Sequence, residues 1–167
     1  MGQIGQGGVA AEAIAGLAQR LRSAHESRVA IDPIRDQLPA GDLDAAYAVQ
    51  QANTDHWVKQ GRRLVGRKIG LTSKAVQAQL GVDQPDYGML FADMSVCDGE
   101  EVPLSSLIQP KVEAEIAFVM ERDLVQPMAT MAELISAVAY AVPAIEIVDS
   151  RIANWKISIV DTIADNA

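Results

Sequence analysis

The stretch Val112-Glu113-Ala114-Glu115-Ile116-Ala117-Phe118 sets two carboxylates two residues apart in a segment that otherwise reads as a β-strand. Successive strand side chains point to opposite faces, so positions i and i+2 share a side. Val112, Ala114, Ile116, Phe118 and Met120 then fall on one face, and Glu113 and Glu115 on the other, with Ala117 and Val119 beyond them. Like charges side by side on a strand repel. Either water or a divalent cation must offset that repulsion, and the two readings, a solvated strand face and a metal site, lead to different proteins.

Outward from this strand the pattern divides. Upstream, Val9 to about Ser27 reads as a helix, with Ile14, Leu17 and Leu21 at helical spacing. Asp32-Pro33 and Leu38-Pro39-Ala40-Gly41 punctuate a loop. Asp42 caps a second helix to about Gln60, stopped by Gly61, with Leu43, Ala46, Val49 and Trp57 on its apolar side. Leu64 to Leu71 reads as a short strand, and Thr72-Ser73 caps a short helix ended by Gly81. Turns and short strands fill Val82 to Val102. Downstream of the Glu-x-Glu strand, Thr130 and Glu133 make a capping box for a helix carrying Leu134, Ile135 and Val138, which Pro143 is expected to end. Ala144 to Val148 reads as a strand, and Trp155 to Ile163 as one more. The expected class is α+β: a flexible tail over 1–8, a helical N-terminal region over 9–62 and a mixed, mostly β, core over 63–167.

Composition limits function. The 167 residues are 49% hydrophobic and 22% charged, as expected of one globular domain. A net charge of −8 argues against electrostatic binding of nucleic acid or an anionic membrane. An anionic substrate would need locally clustered cations or a recruited metal. A lone cysteine, Cys97, excludes an intrachain disulfide and a multi-cysteine zinc site, and suits a reducing, cytoplasmic location. The best apolar run, Ala137 to Val148, is broken by Pro143 and Glu146, so no membrane span is read there. Residues 1–8 lack the basic and apolar regions of a secretory signal.

Glu146 is the third carboxylate of interest. It lies in Pro143-Ala144-Ile145-Glu146-Ile147-Val148, where an acid among apolar neighbours is costly unless paired or coordinated. With Glu113 and Glu115 it offers oxygen ligands suited to Mg²⁺ or Mn²⁺. Lys68, in Val65-Gly66-Arg67-Lys68-Ile69-Gly70-Leu71, sits in an apolar, glycine-lined strand where a lysine can become a proton carrier or can simply snorkel to the surface. Asp86, in Asp83-Gln84-Pro85-Asp86-Tyr87-Gly88, is either a second acid–base group or a plain turn aspartate. His25 and His56 fall on predicted helices and read as packing or surface residues. There is no HxxxH, CxxC, GxSxG or P-loop pattern, and Ser105, Ser106 and Ser150 lack a histidine at a recognisable spacing.

Several blocks occur in order: Gly66-Arg67-Lys68-Ile69-Gly70-Leu71-Thr72-Ser73, Gly81 to Gly88, Gln109 to Phe118, Pro143 to Ile152, and Asp161 to Ala167. Together they closely resemble the 2-hydroxypenta-2,4-dienoate (2-keto-4-pentenoate) hydratases of the fumarylacetoacetate hydrolase-like superfamily, from about residue 9 to the last. The resemblance implies addition of water to a 2-hydroxy-2,4-dienoate, giving a 4-hydroxy-2-oxo acid, in meta-cleavage degradation of aromatic compounds. It places the metal ligands on Glu113, Glu115 and Glu146; Lys68, with Asp86 nearby, is then the group expected to move protons. Chelation of the substrate's carboxylate and 2-oxygen by Mg²⁺ or Mn²⁺ would let an acidic chain hold an anion. The same resemblance admits the related 4-oxalocrotonate decarboxylases as an alternative, and a non-catalytic scaffold subunit as another. It also implies a homo-oligomer. Family members continue past Asp165-Asn166-Ala167, so the β-rich core is expected to be incomplete, with strand edges and apolar surface exposed.

Overall fold

The computed structural model describes residues 9–167, so the tail expected over 1–8 lies outside the described residues. The elements run α1 (Ala11–Ser27), α2 (Leu43–Lys59), β1 (Leu64–Gly70), α3 (Lys74–Leu80), β2 (Asp86–Phe91), β3 (Pro110–Met120), α4 (Met131–Ala137), β4 (Val138–Asp149) and α5 (Ile159–Asp165). This is the expected α+β class. Chain contacts divide it into two units, 9–109 with 149–167, and 110–148.

The first unit holds most of the buried core. Leu17, Ala18 and Leu21 of α1 meet Ala45, Ala46 and Val49 of α2, and Ile152, Val160, Ile163 and Ala164 close the cluster. The helix boundaries follow from local chemistry. Asp42 caps α2 by accepting the Ala45 N–H at 2.9 Å. Gly61, at φ +92°, then turns the chain out of the helix in a conformation that costs glycine little. β1 and β2 pair antiparallel, with Lys68 opposite Gly88 and Gly70 opposite Asp86. Residues that face one another and those two apart share a side, so Lys68 and Asp86 are diagonal neighbours on one face of this sheet.

The stretch Trp155–Ile163 departs from its expected strand. A short turn covers Ala153–Trp155, and α5 begins at Ile159. The cause is local: the Ser158 hydroxyl and the Asp161 carboxylate form a reciprocal capping box. That cap satisfies first-turn N–H groups and overrides the β preference of Ile157, Ile159 and Val160.

In the second unit β3 and β4 form a two-stranded sheet. The Thr130–Glu133 capping box is present at the start of α4. Pro143 does not end that helix. The helix already stops at Ala137, and Pro143 lies inside β4. Val138, Tyr140 and Val142 favour extended backbone, and a two-stranded sheet leaves each strand an unpaired edge, where a proline's missing N–H is tolerated. The apolar face of β3 is open: Val112, Ile116 and Phe118 are 71%, 66% and 63% exposed. Among the described residues no helix is long and apolar enough to cross a membrane.

Candidate active site

Two clusters hold the residues singled out from the sequence, one in each unit. In the second unit, one carboxylate oxygen from each of Glu113, Glu115 and Glu146 lies within 4.8 Å of the others. The two-residue strand period puts Glu113 and Glu115 on one side of β3, and β4 supplies Glu146 from the neighbouring strand. Oxygens bound to one Mg²⁺ at about 2.1 Å can be no more than about 4.2 Å apart. With oxygens within 4.8 Å of one another, the triad could hold one divalent cation if its side chains closed on it. Glu113 and Glu115 are exposed and Glu146 is half-buried, which leaves the far side of such an ion open to water or another ligand.

In the first unit, glycines make room for Lys68 and Asp86. A methyl group at Gly88 would come within 2.6 Å of the Lys68 Cε and 2.7 Å of the Asn166 Oδ1. One at Gly70 would collide with the Asp86 carboxylate. Asp86 is buried and Lys68 half-buried. The Lys68 ammonium donates to the Ala167 carbonyl. Tyr47 stacks on Tyr87 at 4.4 Å between ring centroids, and its hydroxyl accepts the Tyr87 N–H at 3.3 Å. Burial pushes the Tyr47 phenol above its ordinary pKa, against the lowering effect of that hydrogen bond.

Several residues that position these groups carry no sequence motif. Asn166 acts as a surrogate strand: its side chain accepts the Met89 N–H at 2.5 Å and donates to the Met89 carbonyl at 3.0 Å. Gln50, fully buried on α2, donates to the carbonyls of Tyr87 and Ile163 at 3.1 and 2.9 Å. Asp165 holds Arg151 through a 2.6 Å ion pair. Asp149 accepts the N–H groups of Ile108 and Gln109, fastening together the points where the chain leaves and rejoins the first unit. Asp149, Arg151, Asp165 and Asn166 fall within the blocks Pro143 to Ile152 and Asp161 to Ala167, whereas Gln50 lies outside every block and carried no signal in the sequence. His25 and His56 lie on α1 and α2 beside Trp57, consistent with packing roles. Cys97 is free and exposed.

The helices and short sheets make an α+β fold also found in a solved 4-oxalocrotonate decarboxylase from Pseudomonas putida G7, complexed with magnesium and adipate. That chain matches with a TM-score of 0.89 and 36% identity, over 95% of this chain and 60% of its own. This chain is 65% identical over 147 residues to 2-keto-4-pentenoate hydratase 1 of Dechloromonas aromatica (strain RCB), covering 88% of this chain and 56% of that relative. It is 42% identical over 152 residues to a 2-hydroxypent-2,4-dienoate hydratase of Pseudomonas putida, covering 90% of this chain and 68% of that one. No family model matches the chain. The chain belongs to the 2-hydroxypenta-2,4-dienoate (2-keto-4-pentenoate) hydratase family of the fumarylacetoacetate hydrolase-like superfamily. It spans 56–60% of the length of the hydratases it matches at 62–65% identity.

Proposed function

We propose that the protein of which these residues are part is a metal-dependent hydratase that adds water to 2-hydroxypenta-2,4-dienoate, giving 4-hydroxy-2-oxopentanoate. The observation that carries the reading is the convergence of Glu113, Glu115 and Glu146 on one point in a chain 65% identical to a named hydratase. A bound Mg²⁺ or Mn²⁺ would supply Lewis-acid polarisation and a template for a carboxylate and an adjacent oxygen. The protein groups would hold and move protons. Lys68 and Asp86 share one sheet face and are the pair proposed to exchange protons with the substrate. The 2-hydroxyl proton leaves and C5 is protonated, giving the α,β-unsaturated 2-oxo acid. Hydroxide from water then adds at C4 and a proton at C3.

The 4-oxalocrotonate decarboxylase reading rests on the fold shared with that enzyme, and the higher identities are to hydratases. Family membership supports a homo-oligomeric, cytoplasmic enzyme acting on a small anionic substrate. An assay of the chain, and of a version extended to the length of its relatives, with 2-hydroxypenta-2,4-dienoate and 4-oxalocrotonate, with and without Mg²⁺ or Mn²⁺, decides among these. Metal-dependent consumption of the dienoate without CO₂ release is the expected result. CO₂ release would establish the decarboxylase. An extended chain inert on both substrates would leave a scaffold.

A further inference from the structure

In a chain of net charge −8, one cavity of the first unit has a cationic wall. It measures about 70 Å³ and is lined by Arg22 and His25 of α1, Asn53 and Trp57 of α2, Arg62 of the turn before β1, and Arg151. Against the three guanidinium groups its wall presents one carboxylate, Asp165, and that group is already paired with Arg151. We propose that this cavity is a binding site for a small tetrahedral oxyanion of the phosphate or sulfate type, separate from the glutamate triad.

The donor inventory supports it. Arg62 spends Nε and Nη2 on Asp93 at 2.8 and 3.0 Å. Its guanidinium is fixed over the rings of Trp57 and Phe91, 5.3 and 4.3 Å from their centroids. Arg151 spends Nε and Nη2 on Asp165. Among the described residues, each therefore keeps Nη1 in reserve. Arg22 gives Nη1 to the neutral Asn53 Oδ1 at 2.6 Å and forms no ion pair among the described residues, so Nε and Nη2 remain. The His25 imidazole contacts Trp57 edge-on and makes no side-chain hydrogen bond among the described residues. The residues that carry these donors line the cavity from three separate segments, whereas a planar carboxylate is suited to one flat fork. Three directions of approach suit a tetrahedral anion with oxygens on several sides.

His25 reports the local field. Burial lowers its pKa, and Arg28, Arg151 and Arg62 lower it further, against a smaller opposing effect of Asp149. Arg22 and Asp165 share the cavity wall with it, and His56 flanks Trp57 on α2. An anion among the guanidiniums would favour the imidazolium and raise the His25 pKa.

The test is an NMR titration of the two histidines in the full chain, assigned with His56→Gln, in sulfate, acetate or chloride at constant ionic strength. Sulfate keeps its charge across the range used. We expect sulfate to raise the His25 midpoint saturably, by about 0.5–1 pH unit, with acetate weaker and chloride without effect, and R22Q to abolish the sulfate response. A missing response, an equal response to chloride, or an undiminished response in R22Q would overturn the site. Acetate outperforming sulfate would overturn the tetrahedral assignment. If R22Q fails to fold, the sulfate–chloride comparison on the parent chain still decides. The outcome is independent of turnover, so it stands apart from the hydratase reading.

Discussion

Asp161 shows how much one buried carboxylate can organise. Its side chain is fully buried, accepts the N–H groups of Ile34 and Arg35 at 2.9 and 3.0 Å, and pairs with the Arg35 guanidinium at 2.5 Å. Burial alone would raise its pKa. The hydrogen bonds from Arg35 and Ser158 outweigh that and hold the carboxyl below the usual range. A depressed native pKa means that its contribution is complete above the unfolded value near pH 4 and is lost as pH falls through the folded value. His25, also depressed, acts in the same direction from about pH 6.5 downward. Asp161→Ala should cost about 2–4 kcal/mol in urea unfolding at pH 7, and the difference from the parent should shrink below about pH 4. Gly88→Ala makes a different point. The added methyl must displace Lys68 or Asn166, so in the extended chain dienoate turnover should fall at least about tenfold, while Mg²⁺ affinity, measured by calorimetry, stays at the parent value. The shared strand face of Glu113 and Glu115 and the apolar setting of Glu146 were legible because strand periodicity and apolar neighbours are local signals. Asp161 and Asn166 were not, because their hydrogen-bond partners Arg35 and Met89 lie 126 and 77 residues away.

At the scale of elements, caps were readable and packing was not. Asp42 and the Thr130–Glu133 box announced α2 and α4 within a few residues of where they form. The Ser158–Asp161 box has the same spacing but was hidden among Ile157, Ile159 and Val160, whose β preference suggested a strand. Pro143 reads as a punctuator of helix, but its effect depends on whether the residue occupies a helix or a strand edge, and β4 already runs through Val138-Ala139-Tyr140-Ala141-Val142. Gln50 links elements far apart in the chain, joining α2 to β2 and α5 through two carbonyls. Gln50→Leu keeps the side-chain volume and strands both carbonyls. It should destabilise the chain by about 1–3 kcal/mol in urea unfolding. A second effect should appear in hydrogen exchange, with faster exchange at Met89 and in the last turn of α5 and little change in α1.

At the scale of the whole chain, apolar burial is unevenly shared between the two units. The first unit owns the cluster built on α1, α2 and α5. Among the described residues of the second, only Ala137 is a buried hydrophobic, while Val112, Ile116, Phe118 and Ile145 stand 63–74% exposed. A two-stranded sheet is marginal in water without a covered face, and Glu113, Glu115 and Glu146 add mutual repulsion across its strands. If the three groups hold a divalent cation as proposed, the second unit is the part of the chain that should respond to it most, because a ligand that binds only the ordered arrangement stabilises it by mass action. Backbone amides of 110–148 should therefore exchange faster than those of α1 and α2 in chelator-treated protein. Mg²⁺ at about 100 times its dissociation constant should slow them by up to about a hundredfold, since the added stability is then near 2.7 kcal/mol. Amides of α1 and α2 should be unmoved. Glu113→Gln, which removes one ligand charge and one repulsion together, should slow exchange in chelator and weaken the Mg²⁺ response. Equal protection by Mg²⁺ across both units, or full protection in Glu113→Gln, would mean that the ion acts elsewhere than at the triad.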